Sequence, residues 1–322
     1  MRQKIFPLLF LTAVFAAAPG CTFFHSKSGA QSSKQQNTAT GQYSSKDYRE
    51  PKRIGTIQDD AITESSGIAA SHRNKDIFWT HNDSGDGAFL YAFDRTGKKR
   101  GVWKVEAAKS VDWEDIAAYK DKQTGVNYLF IGDIGNNSKN RTELTIYRII
   151  EPETKSEDAT STKKNPRLTS RAEAIRVSYP NARHDAETLL VSPENGDLYI
   201  VSKNFSGNAD IYKLAAPFDF DRLQNLEHIG QIGVPSATRG FLTGGDISPD
   251  GKRLILCDYF AAYEIVLPAT AKNFDEIWKQ SASAVNLGER AQGEAVCYRT
   301  DGRAVLATSE KKNSPLIEAE RK

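Results

Sequence analysis

The chain has 322 residues, 43 of them basic and 41 acidic, for a formal net charge of +2; with the two signs interspersed it carries no electrostatic footprint for nucleic acid. Beyond the first 49 residues lies one block of about 270, a size that repeat-built and all-β folds handle as a single domain. It holds no Gly-x-Ser-x-Gly nucleophile elbow, phosphate loop or dinucleotide fingerprint, which argues against a classical hydrolase triad and against nucleotide cofactors.

In chain order, Arg2 and Lys4 precede an apolar stretch from Ile5 to Ala18. The stretch is too short for a membrane span and is followed by small residues, so it reads as a secretory signal. It ends in Ala18, Pro19, Gly20 and Cys21, which resembles the lipobox of bacterial lipoproteins, whose cysteine becomes lipid-modified and N-terminal. The resemblance implies a signal peptide over residues 1–20, lipidation at Cys21, export, and a lipid anchor in a bacterial membrane. Thr22 rather than Asp after the cysteine implies the outer membrane in a Gram-negative cell. An ordinary signal peptidase cut in the Ala-rich segment is the alternative. Residues 21–49 are mostly Ser, Gln, Thr, Lys, Gly and Asn; with so little to bury they cannot offset their ordering entropy and read as a flexible tether.

Residues 50–322 form the folded domain, and within it one pattern recurs five times. Its units open at Ser66 (SGIAAS), Glu114 (EDIAAY), Glu187 (ETLLVS), Gly245 (GDISPD) and Glu294 (EAVCYR). Each opening, strand A, is followed by a polar turn and an apolar strand B: IFWTHND to Asp83, LFIGDIG to Gly135, LYIVSKN to Asn204, LILCDYF to Phe260 and AVLATSE to Glu310. Strand C carries a recurring tyrosine, Tyr91, Tyr147, Tyr212 or Tyr263, and strand D is a plainer run from Val102, Ala174, His228 or Ala284. Strand-length apolar runs between Gly, Asn, Asp and Pro turns, with no long helical periodicity, make this an all-β chain. Four-stranded antiparallel units of this length are blades of a β-propeller. The last unit has only SPLIEA around Leu316 after strand B, while RIGTI from Arg53 has no unit of its own. The N-terminal strand Arg53 to Ile57 is therefore expected to close the ring. Five blades follow, or six if the polar insertion from Glu153 to Ser170, read as a charged surface loop between C and D, hides a strand pair. Cys257 and Cys297 fall inside apolar runs and read as buried thiols, with a disulfide between neighbouring units as the alternative.

If strand A descends along the channel, the BC and DA loops share the upper face. The AB turns are short, whereas the BC loops are polar far beyond what a turn requires, so the ligand site is placed on the upper face. Its candidate ligand-binding residues are Asn82, Asp83, Asp133, Asn137, Lys203, Asp258 and Glu310. Nearest the axis, the strand A openings form a ring of Ser66, Glu114, Glu187, Gly245 and Glu294. Three converging carboxylates repel one another unless protonated or shared by a cation. Hard oxygen donors without a His or Cys cluster favour Ca²⁺ over zinc or iron. The alternative is that these glutamates cap backbone N–H groups and hold the blades together.

This ring resembles that of the calcium-activated apyrases, five-bladed nucleotidases with an axial set of Ser and Glu residues around one Ca²⁺. The matches are Ser66 before Ile68, Glu114 before Ile116, Glu187 before Leu189 and Glu294 before Val296, with Gly245 as the departure. Asn82 to Gly85 resembles a loosened form of the family's acidic loop, while a DRTG string at Asp94 falls between strands C and D, on the wrong face. The resemblance implies a metal held by Ser66, Glu114, Glu187 and Glu294.

The functional expectation is a membrane-tethered module that binds a small molecule or protein on its upper face, with Ca²⁺ in the channel. The alternative is a Ca²⁺-dependent hydrolase of phosphate esters or anhydrides. There Asp83 or Asp133 would serve as general base and Lys203, Arg239 or Arg290 would neutralise developing charge. Carbohydrate or lyase chemistry could pair Glu114 with Glu187, and His81 and His184 add general-base options.

Overall fold

The computed structural model describes residues 46–322; the signal segment, Cys21 and most of the tether lie outside the described residues. In chain order, β1 (Lys52–Thr56) precedes the first blade, built from β2 (Ser65–Ala70), β3 (Ile77–Asn82), β4 (Phe89–Asp94) and β5 (Lys99–Glu106). The second blade begins with β6 (Trp113–Lys120), β7 (Asn127–Asp133) and β8 (Leu144–Ile150); after a short β9 (Arg167–Arg171) it is completed by β10 (Glu173–Ser178). The third comprises β11 (Ala186–Val191), β12 (Leu198–Ser202), β13 (Ala209–Leu214) and, beyond the two-residue β14 (Gln224–Asn225), β15 (Glu227–Ile232). The fourth is β16 (Gly244–Ile247), β17 (Arg253–Cys257), β18 (Ala262–Val266) and β19 (Ser283–Val285). The fifth is β20 (Gly293–Tyr298), β21 (Ala304–Ser309) and β22 (Pro315–Glu320), with β1 paired antiparallel to β22 as its outermost strand. The protein is a five-bladed β-propeller whose ring is closed by its N-terminal strand.

Inner strands β2, β11 and β20 are buried along their whole length, whereas the outer strand β10 alternates with solvent and β15 is mostly exposed or half-buried. That is why the A and B runs read as continuous apolar sequence and the D runs as plainer ones. Five apolar clusters fill the five gaps between blades. Trp79 and Trp103 pack with Trp113 and Leu129 between the first two blades, and Cys297, Leu306 and Leu316 pack with Ile68, Phe78 and Phe93 where the last blade meets the first. The inner strands touch in sequence around the axis, β2 to β6, β11, β16, β20 and back to β2.

The recurring strand C tyrosines contribute a ring to these cores and a hydroxyl to the upper-face loops. Tyr91 donates to Asp86 at 2.6 Å and Tyr263 to Asp258 at 2.6 Å, Tyr147 accepts from the Lys109 N–H at 3.2 Å, and Tyr212 meets His184 at 2.7 Å. A buried phenol needs such a partner, so the repeat couples each core to the loops above it.

The insertion from Glu153 to Ser170 differs from the expected loop. It holds one 3-10 turn (Ser156–Thr160) and the first part of β9, which runs parallel to β5 on the outer edge of the first blade. One strand rather than a strand pair leaves the blade count at five. Ring closure is reinforced by Tyr48, which is buried and donates to Glu264 at 2.5 Å, while Glu264 also accepts from Tyr298 at 2.9 Å and pairs with Arg321 at 2.8 Å. Cys257 and Cys297 are free, buried thiols, so the disulfide alternative is set aside.

Candidate functional site on the upper face

Strand register decides how the axial residues project. In β2 the pairing with β3 jumps from Ser65 to Gly67, and the same one-residue slip occurs between Trp113 and Asp115, Ala186 and Thr188, and Gly293 and Ala295. The residue left unpaired in each case is Ser66, Glu114, Glu187 or Glu294. A bulge of this kind re-aims a side chain out of the ladder. In β16, Gly244 and Gly245 pair without a slip, so the blade with glycine at the ring position also lacks the bulge.

The four bulged residues have different fates. Ser66 donates its hydroxyl to the Glu114 carbonyl at 2.7 Å and is spent on joining two blades. Glu187 is ion-paired with Lys203, whose side chain is only 7% exposed. Glu294 accepts from the Gln292 amide at 3.0 Å and shares a hydrogen bond with Glu310; burial and that contact push its carboxyl up to about 9. Glu114 is 2% exposed and its Oε1 has no hydrogen-bond partner among the described residues. Burial, followed by the negative charge of Glu187, Asp83 and Asp112, holds it well above the usual carboxylate range.

Glu114 meets two further carboxylates off the axis. Ligand oxygens of Asp83, Asp112 and Glu114 all lie within 4.8 Å of one another. Burial raises Asp83, and burial with the Asp83 charge lifts Asp112 to about 6. Room for the cluster comes from Gly135, where a Cβ would stand 2.0 Å from Glu114 Oε1 and 2.5 Å from Asp112 Oδ2. Three carboxylates that depress one another's ionisation around an unpartnered oxygen suit a hard cation of the Ca²⁺ type. Backbone capping falls to neighbouring residues instead. Asp115 accepts from the Leu189 N–H of the next blade at 3.0 Å, and Asp246 from the Tyr298 N–H at 2.8 Å.

The remaining candidates are dispersed. Asn82 accepts from the Thr63 and Glu64 N–H groups at 2.9 and 3.0 Å and shapes the loop below Asp83. Asp133 is ion-paired with Arg141 at 2.8 Å and accepts from the Val111 and Asp112 N–H groups, positioning Asp112 instead of joining it. Asp258 is spent on the Phe260 and Ala261 N–H groups and the Tyr263 hydroxyl. Asn137 and Arg239 are exposed. Arg290 is buried, its Nε and Nη1 lacking partners and its Nη2 reaching only the Ala261 carbonyl at 3.4 Å. His81 is buried beside the Trp113 ring, and burial lowers its imidazole to about 4, leaving it neutral at pH 7. His184 sits among Tyr179, Tyr212 and Asp210. On the opposite face a cavity of about 240 Å³ is lined by Ala69, Ala118, Val191 and Tyr298 and by none of these candidates.

Asp112 is the residue that reading by strand opening misses. A signal for it exists: Asp112-Trp113-Glu114 and Asp185-Ala186-Glu187 share an Asp-x-Glu spacing, and Glu64 stands two before Ser66. A second acidic layer thus lies one step above the ring. An aromatic strip adjoins it, with Phe205 against Phe241 at 4.4 Å, Phe241 against Tyr259 at 4.8 Å and Tyr259 against Phe260 at 6.4 Å. Phe205 and Phe260 are 70% and 79% exposed.

A five-bladed propeller with an acidic upper mouth is the class that fold and site define. No family model matches the chain, and no curated protein matches it in sequence. Among solved structures it is similar to the PQQ-bound form of aldose sugar dehydrogenase (Adh) from Streptomyces coelicolor, with 10% identity over 85% of this chain and 98% of that chain and a TM-score of 0.48.

Proposed function

We propose that this protein is an exported, membrane-tethered binding module that holds one Ca²⁺ ion at Asp83, Asp112 and Glu114 and captures a ligand on the same face. The observation that carries this reading is the buried, unpartnered Glu114 oxygen turned toward two further carboxylates. Exposed Phe205 and Phe260 beside the acidic mouth supply an apolar contact for the ligand or protein partner. The signal-like stretch and Cys21 support the tether. The binding reading is favoured over a phosphohydrolase because Asp133 is committed to Arg141 and Lys203 to Glu187. Titration calorimetry of the folded chain with Ca²⁺ tests the site. One ion per molecule is expected, weakened about 30-fold or more by Glu114→Gln through loss of a buried anionic ligand. Equal affinity of the Glu114→Gln protein would refute it.

A further inference from the structure

The first residue after strand B occupies the same place in three blades. Its backbone N–H donates to the carbonyl of the residue that stands two before the bulge: Asp83 to Glu64 at 3.0 Å, Lys203 to Asp185 at 2.8 Å and Glu310 to Gln292 at 3.1 Å. Two of these side chains are acidic and the third is a lysine. Lys203 is therefore a charge reversal within the repeat, placed beside the bulged Glu187.

Its surroundings suit an ammonium. The Lys203 Nζ is paired with Glu187, lies over the Phe241 ring at 4.5 Å and the Tyr259 ring at 5.3 Å, and reaches the Tyr259 hydroxyl at 3.4 Å. One carboxylate and two aromatic faces satisfy a compact monovalent cation, whereas a divalent ion asks for six or more oxygens. Asp83, Asp112 and Glu114 present the opposite case, with oxygen donors converging and no internal cation among the three.

We propose that Lys203 is a resident cation of the upper face, which occupies Glu187 permanently and leaves a single exchangeable metal position, off the axis, at Asp83, Asp112 and Glu114. The inference rests on the metal reading for where the ion binds and is independent of it for the lock between Lys203 and Glu187. Lys203 is a positioning residue in this arrangement. It keeps Glu187 out of the coordination sphere and moderates the negative potential felt by the bound ion.

Two measurements on the full chain test it. In Ca²⁺ titrations, Lys203→Gln tightens binding by about tenfold because an unmatched carboxylate now faces the ion, and Glu187→Gln weakens it by a similar factor because an unmatched ammonium does. The double variant, a neutral pair that controls for folding, loses that gain. If the double variant binds as weakly as Glu114→Gln, Glu187 is a metal ligand and the proposal falls. In metal-free protein, reductive methylation followed by mass spectrometry finds Lys203 at least about tenfold slower than exposed lysines, and Glu187→Gln restores its reactivity. Labelling of Lys203 at the rate of exposed lysines, or its release on adding Ca²⁺, overturns the lock. A chain that binds no Ca²⁺ yet protects Lys203 until Glu187 is changed refutes the metal reading and leaves the lock standing.

Discussion

The acidic mouth makes the metal-free protein sensitive to alkali, and Glu294 sets the scale. Its carboxyl is raised from 4.5 to about 9 by burial and by the hydrogen bond it shares with Glu310. Between pH 7 and 9 the folded state therefore keeps a proton that the unfolded chain has already released. Stability must fall as pH rises through this window, because the unfolded state binds fewer protons. One proton costs at most ~1.4 kcal/mol per pH unit, or ~2.7 kcal/mol over two units. Glu114, held well above its usual range, acts in the same direction. His72, His81 and His184 are all shifted downward and contribute little above pH 7, where both folded and unfolded imidazoles are largely neutral. For a domain of this size the loss corresponds to a fall in Tm of roughly 5 °C or somewhat more. If Ca²⁺ occupies the proposed site, the ion at about 100 times its Kd should return ~2.7 kcal/mol. Thermal melts followed by circular dichroism in EDTA and in Ca²⁺, at pH 7, 8 and 9, measure both terms. Glu294→Gln should flatten the slope in EDTA. A metal-free Tm that stays level or rises from pH 7 to 9, or a slope unaltered in the Glu294→Gln protein, refutes the reasoning.

Gly135→Ala should abolish Ca²⁺ binding in calorimetry while the far-ultraviolet spectrum stays native, since its methyl would occupy space now held by the Glu114 and Asp112 oxygens. Replacing Glu264 with Leu removes the acceptor of the buried Tyr48 and Tyr298 hydroxyls and one ion-pair partner of Arg321; urea unfolding should show a loss of about 3 kcal/mol, since two buried donors lose their acceptor. At Gly97, where φ is +82° and a Cβ would meet the Thr56 carbonyl at 2.0 Å, alanine should loosen the closing strand. A loss of about 2 kcal/mol or more is expected in the same assay. Changing Phe205 and Phe260 together to Ser should leave stability within about 0.5 kcal/mol, because both rings are largely exposed; a large loss would assign them to the core instead of to a ligand.

Much of the architecture is legible in the chain itself. Apolar runs at strand length, tyrosines recurring in strand C and an orphan strand at Arg53 to Ile57 are local patterns, and local patterns specify blades and their order. Even the ring positions are readable as the openings of strand A, with Gly245 marked as the exception. What those openings do is not legible, because a side chain's direction depends on the register between strands, and a one-residue slip turns it to another face. Ser66, Glu114, Glu187 and Glu294 look alike as openings, yet one joins blades, one is paired with a lysine, one shares a hydrogen bond with another acid and one has an oxygen without a hydrogen-bond partner among the described residues. Asp112 enters the site only because its loop is held by Asp133 and faced by Asp83 from the neighbouring blade. The parallel pairing of β9 with β5 likewise joins segments about 60 residues apart that share no pattern. By itself the sequence determined the propeller and its closure, since burying each unit's apolar face requires only periodicity and a neighbour, while the choice of five blades over six waited on the single strand β9 in the insertion. Only the tertiary structure decided which carboxylates meet, because that choice is made by contacts between blades.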